Sequence, residues 1–211
     1  MNLGLGNLNE LKRHLLAVTM QGQTTYDITI AMIGRGIAAQ FGRHCNRRFE
    51  RTVDAQAEFT ADRDHYYLPC YPVETITSIE QRDNMTDGWK PLSIDVILNR
   101  GDESGLISFG PGASLGYWSS RIRVTYTGGY WFETLEPGET GYPTAQPAGS
   151  TVLPADLRLA WLLQCGRVWE LMDKLGTNID PEQAASKSLA DLELLPEVKQ
   201  VLEVHRRLML S

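Results

Sequence analysis

The side chains able to do chemistry in this chain are few and dispersed. His14, His44, His65 and His205 stand far apart, and none has a metal-ligand spacing to a cysteine or to another histidine. His44 and Cys45 are adjacent, but neighbours on a helix point to different faces. Asp62, Asp64 and His65 form the one cluster that a hydrolase would use for acid–base work. Asp83-Asn84-Met85-Thr86-Asp87-Gly88 begins like a calcium loop. Met85 stands at its third position and Ile94 at its twelfth, where oxygen ligands are needed, so a hairpin turn is the better reading. Gly34-Arg35-Gly36 lacks the further glycine of a dinucleotide fingerprint, and Arg100-Gly101-Asp102 reads as turn residues. The expectation is a protein that is not an enzyme, with no catalytic residue, no metal and no cofactor.

Composition narrows the class. A hydrophobic fraction of 42% with 22% charged residues is that of an ordinary globular chain. No run approaches the roughly 18 apolar residues of a membrane helix, so no membrane partner is expected. The N-terminus, MNLGLGNLNELKRHLL, lacks the apolar segment of a signal peptide. Cys45, Cys70 and Cys165 are odd in number and widely spaced, which fits buried free thiols in a reducing cytoplasm. A net charge of −6 argues against a protein whose task is to grip phosphates. The basic residues gather once, in RHCNRRFER. Arg43, Arg47, Arg48 and Arg51 there either contact DNA or a neighbouring subunit, or stabilise the C-terminus of a helix.

These residues must be positioned by elements of two kinds. Leu8, Leu11, Leu15 and Val18 predict a short amphipathic helix, with Lys12 off its apolar stripe. A second helix, capped by Thr25 or Asp27, runs to about Arg48, with Ile30, Ile33, Ile37, Phe41 and Cys45 buried. From Val53 to Tyr130 the period changes to two. Strands are expected at Ala55–Thr60, His65–Leu68, Thr75–Arg82, Ile94–Leu98, Gly105–Phe109 and Ser120–Thr127. The clearest is RIRVTYTGG, where Ile122, Val124 and Tyr126 alternate with polar residues until Gly128-Gly129 ends the run. Aromatic residues are dense here (Tyr66, Tyr67, Tyr71, Trp89, Tyr117, Trp118, Tyr126, Tyr130, Trp131). They suit a core, an interface or a sugar-binding platform.

Residues 133–152, ETLEPGETGYPTAQPAGSTV, read as a long Pro/Gly-rich loop. Pro154 opens a helix ending at Gly176, and a polar stretch, Thr177 to Ala190, leads to a last helix near Pro196 to Met209. That helix has an apolar face and a polar linker before it, which suggests a docking arm. The fold class is therefore α+β: a helical bundle with an inserted antiparallel β module, sandwich-like or barrel-like, and a C-terminal docking helix. The divisions expected are 1–52 (helical hairpin), 53–132 (β module), 133–153 (loop), 154–176 (helix on the hairpin) and 177–211 (linker and arm).

Taken in order, YDITIAMIGRGIAAQFGRHCNRRFER, YYLPCYPVETITSIE, RIRVTYTGGY, LPADLRLAWLLQCGRVWE and LLPEVKQVLEVHRRL resemble the head–tail connector (adaptor) proteins of long-tailed bacteriophages. The resemblance extends over nearly the whole chain. It implies a structural virion protein, made in the host cytoplasm, that forms a homo-oligomeric ring, commonly of twelve subunits, at the head–tail interface. The ring would lie below the portal protein, contact a stopper or tail-completion protein, and pass DNA without sequence-specific binding. On this resemblance Leu195, Val198, Val201, Leu202, His205, Arg206 and Leu208 face the portal. The alternative is a carbohydrate-binding β module of a phage tail or surface protein.

Overall fold

The computed structural model describes the chain apart from residues 85, 101–102, 111–119, 136–137, 176–192 and 208–211. The fold is α+β, with four α-helices and nine strands among the described residues. Expectations for Leu208 and Met209, the polar stretch Thr177 to Ala190, Tyr117 and Trp118 fall outside them. The chain divides into two compact units. A helical unit comprises Met1–Asn46, Phe132–Ala145 and Leu153–Ser211, and a β unit comprises Arg47–Trp131 and Gln146–Val152.

In the helical unit, α1 (Leu8–Leu15) starts at Asn7, whose side-chain oxygen accepts the Glu10 N–H at 2.9 Å. It stops before the expected Val18, because Leu16 turns extended and a single 3-10 turn, Val18–Met20, follows. Lys12 departs from the sequence pattern. Its side chain is buried, and its ammonium reaches Asp27 Oδ1 and the Gln23 carbonyl oxygen, each at 2.6 Å. Asp27 is thereby an ion-pair partner and not a cap; Tyr26 holds the cap position of α2 (Asp27–Cys45). That helix ends short of Arg48, where Asn46 takes the left-handed conformation at φ 51°.

The next helix, α3 (Ala155–Leu175), supplies the largest fully buried side chain, Trp161. Its indole Nε1 donates to the Gly34 carbonyl oxygen of α2 at 3.0 Å. Gly34 makes this approach possible: a Cβ there would stand 2.9 Å from Leu3, 3.0 Å from Leu11 and 3.2 Å from Trp161. The last helix, α4 (Pro196–Val204), packs on α2 and α3 with Val198 and Leu202 fully buried. The expected structureless loop is locally tied. The Glu133 carboxylate accepts from the N–H of Leu135 (2.9 Å), the N–H of Thr144 (2.6 Å) and the Thr144 hydroxyl (2.9 Å). These bonds, the Leu135 N–H foremost, hold its carboxyl below the usual range.

The β unit holds a four-stranded antiparallel sheet in the order β1 (Thr52–Thr60), β7 (Arg121–Gly128), β3 (Val73–Arg82), β4 (Lys90–Leu92). A second sheet has the order β2 (His65–Tyr67), β6 (Leu106–Phe109), β5 (Ile97–Arg100). The strand expected from Ile94 begins instead as a 3-10 turn, Ile94–Val96, capped by Ser93. Ile122, Val124 and Tyr126 of β7 are fully buried in one cluster with Ile79 of β3 and with Tyr66, Ile107 and Phe109 of the second sheet. The two sheets thus share one core, as their alternation demands. Gly128 and Gly129 end β7 where Cβ atoms would meet the carbonyl oxygens of Cys70 (2.6 Å) and Glu50 (2.5 Å). A short parallel pair, β8 (Tyr130–Trp131) with β9 (Thr151–Val152), completes the unit.

The Gly34 contact makes a paired prediction. At Gly36, one half-turn on, an added methyl group would have nothing within 4 Å. Gly36→Ala should raise stability by up to about 1 kcal/mol through helix propensity alone. Gly34→Ala should lower it, by roughly 1–3 kcal/mol from overpacking. Urea titrations followed by helical circular dichroism measure both, and equal gains from the two would refute the packing role of Gly34.

Candidate functional site

The hydrolase cluster is not assembled into a site. His65 Nδ1 meets Asp64 Oδ1 at 2.6 Å, and that bond holds the exposed Asp64 carboxyl below its usual range. Asp62 is exposed on the preceding turn. Among the described residues no three His, Cys, Asp or Glu side chains gather where they would hold a metal ion. His44 and His205 serve packing: His44 Nε2 lies 3.3 Å from Glu203 Oε1, and His205 Nε2 lies 3.3 Å from Asp156 Oδ2, so both tie α4 to its neighbours. Cys45, Cys70 and Cys165 are free and buried, and burial pushes the thiols of Cys70 and Cys165 up. A groove of about 390 Å³ in the helical unit is lined by Leu15, Leu16, Ala17, Met20, Tyr26, Thr29 and Trp169. Its walls are mostly apolar and carry no carboxylate, histidine or lysine.

The arginines expected to act together are divided. Arg43 lies exposed in the last turn of α2. Arg47 is buried: its guanidinium stacks 3.4 Å from the Tyr71 ring centroid, 4.8 Å from Phe49 and 5.2 Å from Tyr130, and donates to the Tyr71 carbonyl oxygen. Arg51 makes a two-bond pair with Glu74, both at 2.8 Å. Arg48 keeps an exposed side chain while its N–H donates to the Pro69 carbonyl oxygen at 2.7 Å. Arg47 and Arg51 therefore organise the β unit; Arg43 and Arg48 are the members open to a partner.

The aromatic residues are also mostly structural. Tyr66, Tyr71, Tyr126 and Tyr130 are buried, and the Tyr126 hydroxyl accepts the Cys70 N–H at 3.0 Å. The Trp89 ring meets two guanidinium groups, 4.5 Å from Arg82 and 4.3 Å from Arg123. Arg123 in turn pairs with Glu80 across β7 and β3 at 2.7 Å. The outer face of the sheet is thus a charged network, not an open stacking platform for sugars.

The tail helix is placed differently from a free arm. Val198 and Leu202 belong to the core of the helical unit, Leu195 and Val201 are half-buried, and Arg206 is exposed. Gln164 explains the anchoring: fully buried on α3, it donates to the Glu193 carbonyl oxygen (3.2 Å) and accepts the Leu195 N–H (2.9 Å). Val204, which the apolar pattern left off the docking face, is 80% exposed. Other outward apolar residues are Ile28 and Met32 on α2 and Leu159 and Leu163 on α3. In the sequence Leu159 and Leu163, with Leu162 and Trp169, form a second apolar stripe that predicts a helix covered on most sides; the single chain leaves Leu159 and Leu163 exposed because no described element of the helical unit packs on that side.

No family model matches the sequence, and no curated protein matches it. Solved structures do. A chain in a structure of the neck of an empty gene transfer agent particle, computed with C6 symmetry, is similar at 16% identity and a TM-score of 0.60, over 97% of this chain and 90% of that one. A chain in the virion of a native gene transfer agent particle is similar at 17% identity and a TM-score of 0.62, with the same coverage. At these identities the likeness is one of fold.

The division of the arginines can be measured. Arg47→Ala should cost about 3 kcal/mol, since it empties a buried aromatic cage and removes a buried charge-assisted bond. Arg43→Ala should change stability by no more than about 0.5 kcal/mol. Thermal unfolding of the two variants tests this, and equal effects would contradict it.

Proposed function

We propose that this chain is a structural subunit of a particle neck at the head–tail junction. In finer terms it is one subunit of a connector ring, of about twelve copies, that lies against the portal and continues the DNA channel. The observation that carries the reading is the agreement in fold, over 97% of the chain, with chains from gene transfer agent particles, one of them from a neck. The sequence resemblance to phage head–tail connectors leads to the same place by an independent route. A ring of twelve contains six-fold symmetry, the symmetry applied to that neck. The net charge of −6 suits a channel wall along which DNA slides, because fixed negative charge lowers affinity for phosphate.

The portal contact belongs to the outward side of α4 and the residues after it. Val204 and Arg206 are exposed, with Val201 and His205 at the edge of the same surface. Val198 and Leu202 support that surface from beneath. A stopper or tail-completion protein would take the opposite end of the ring. Deleting the tail would be a poor test, because it would uncover the core around Val198 and Leu202.

Light scattering on the chain mixed with the portal protein tests the proposal. The expected result is a gain of about one subunit per portal subunit. Val204→Asp should keep the unfolding temperature and lose the gain. A wild-type chain that adds no mass at any ratio would refute the portal-bound ring, and unchanged attachment of Val204→Asp would remove α4 as the contact.

A further inference from the structure

Two helix faces of the helical unit are unpartnered in the single chain, and their chemistry is complementary. On α2 the buried stripe runs through Ile30, Gly34, Ile37 and Phe41. Across the helix from Gly34 lie Ile28 and Met32, which are 77% and 70% exposed, with Arg35 beside Met32 and Arg43 about three turns further along the same side. On α3 the side opposite Trp161 carries Leu159 and Leu163, 55% and 43% exposed, with the exposed carboxylates Asp156 and Glu170 along it and half-buried Arg167, which has a partner within the chain, one turn past Leu163. Each face is therefore an apolar i,i+4 pair, with exposed arginines along the α2 side and exposed carboxylates along the α3 side. Arg35, Arg43 and Glu170 make no ion pair within the described residues, and Asp156 shares its exposed carboxylate with His205. Gly36, with open space around it, keeps the α2 face low enough for a second helix to approach.

We infer that the occupant of the α2 face is the α3 face of a second copy of this chain. The two faces point away from the α2–α3 seam at Gly34 and Trp161, and so lie on opposite sides of that helix pair. A contact that joins one side of a subunit to the opposite side of the next is heterologous, the kind that propagates around a closed ring. Like faces would bring Arg35 and Arg43 against their own kind, or Asp156 and Glu170 against theirs; unlike faces pair opposite charges around two apolar contacts. The inference rests on the ring reading above and identifies the surfaces that build it.

Disulfide trapping tests it, since the native cysteines are buried. Met32→Cys and Leu159→Cys are made in separate chains and together in one chain. Under mild oxidation at high protein concentration, the mixture of single variants should give the mixed dimer, with little of either homodimer. The double variant should give a ladder ending at a closed ring. Adding Arg35→Glu and Arg43→Glu to the Met32→Cys chain should cut the mixed dimer roughly tenfold, through lost charge pairing. A mixed dimer with a ladder that grows without closing would keep this surface and refute the ring. Wild-type rings seen by light scattering, together with homodimers or no cross-link, would keep the ring and overturn this surface. A wild-type chain that stays monomeric alone, adds no mass to its portal and gives no cross-link would overturn both.

Discussion

The helical unit depends on the entry of one indole against one helix backbone. Trp161 reaches Gly34 closely enough to donate its N–H to the carbonyl oxygen at 3.0 Å, and a Cβ at Gly34 would crowd its ring at 3.2 Å and Leu3 and Leu11 more closely still. This buries the largest apolar side chain of the unit while satisfying its polar atom, the condition under which a buried tryptophan stabilises. It also determines the rotation of both helices. With Gly34 and Trp161 facing inward, Ile28 and Met32 must face outward on one helix and Leu159 and Leu163 on the other. The surfaces offered to a partner are set by how the core is closed.

The same logic applies to the tail. Gln164, inside the core, holds the start of α4 by two hydrogen bonds, and Val198 and Leu202 fill the space beneath. Two histidine–carboxylate contacts, His44 with Glu203 and His205 with Asp156, add polar ties. A helix held in this way presents a defined surface to a partner. Preorganisation of that kind reduces the entropy lost on binding. In the β unit, Arg47 has an equivalent role as a buried centre, its charge shared among three aromatic rings.

Local periodicity made much of this fold legible from the residues. The alternation of Ile122, Val124 and Tyr126 anticipated the central strand of the sheet, and the i,i+3 and i,i+4 stripe from Ile30 to Cys45 anticipated the buried side of α2. What stayed hidden depends on distant partners. Lys12 reads as a surface residue until Asp27 and the Gln23 carbonyl oxygen are brought to it, and Arg47 reads as part of a basic surface until Tyr71 and Tyr130 enclose it. Strands as short as Lys90–Leu92 and Thr151–Val152 carry too few residues for a period and exist through their pairing. An apolar helix face tells that something covers it, not what; for α4 the cover is the chain's own core.

An electron-microscopy reconstruction of the chain bound to its portal protein would decide whether these surfaces build a neck. A closed ring should stand against the portal, with α2 of each subunit against α3 of the next and α4 turned toward the portal. Subunits bound singly, without contact between neighbours, would contradict the connector reading.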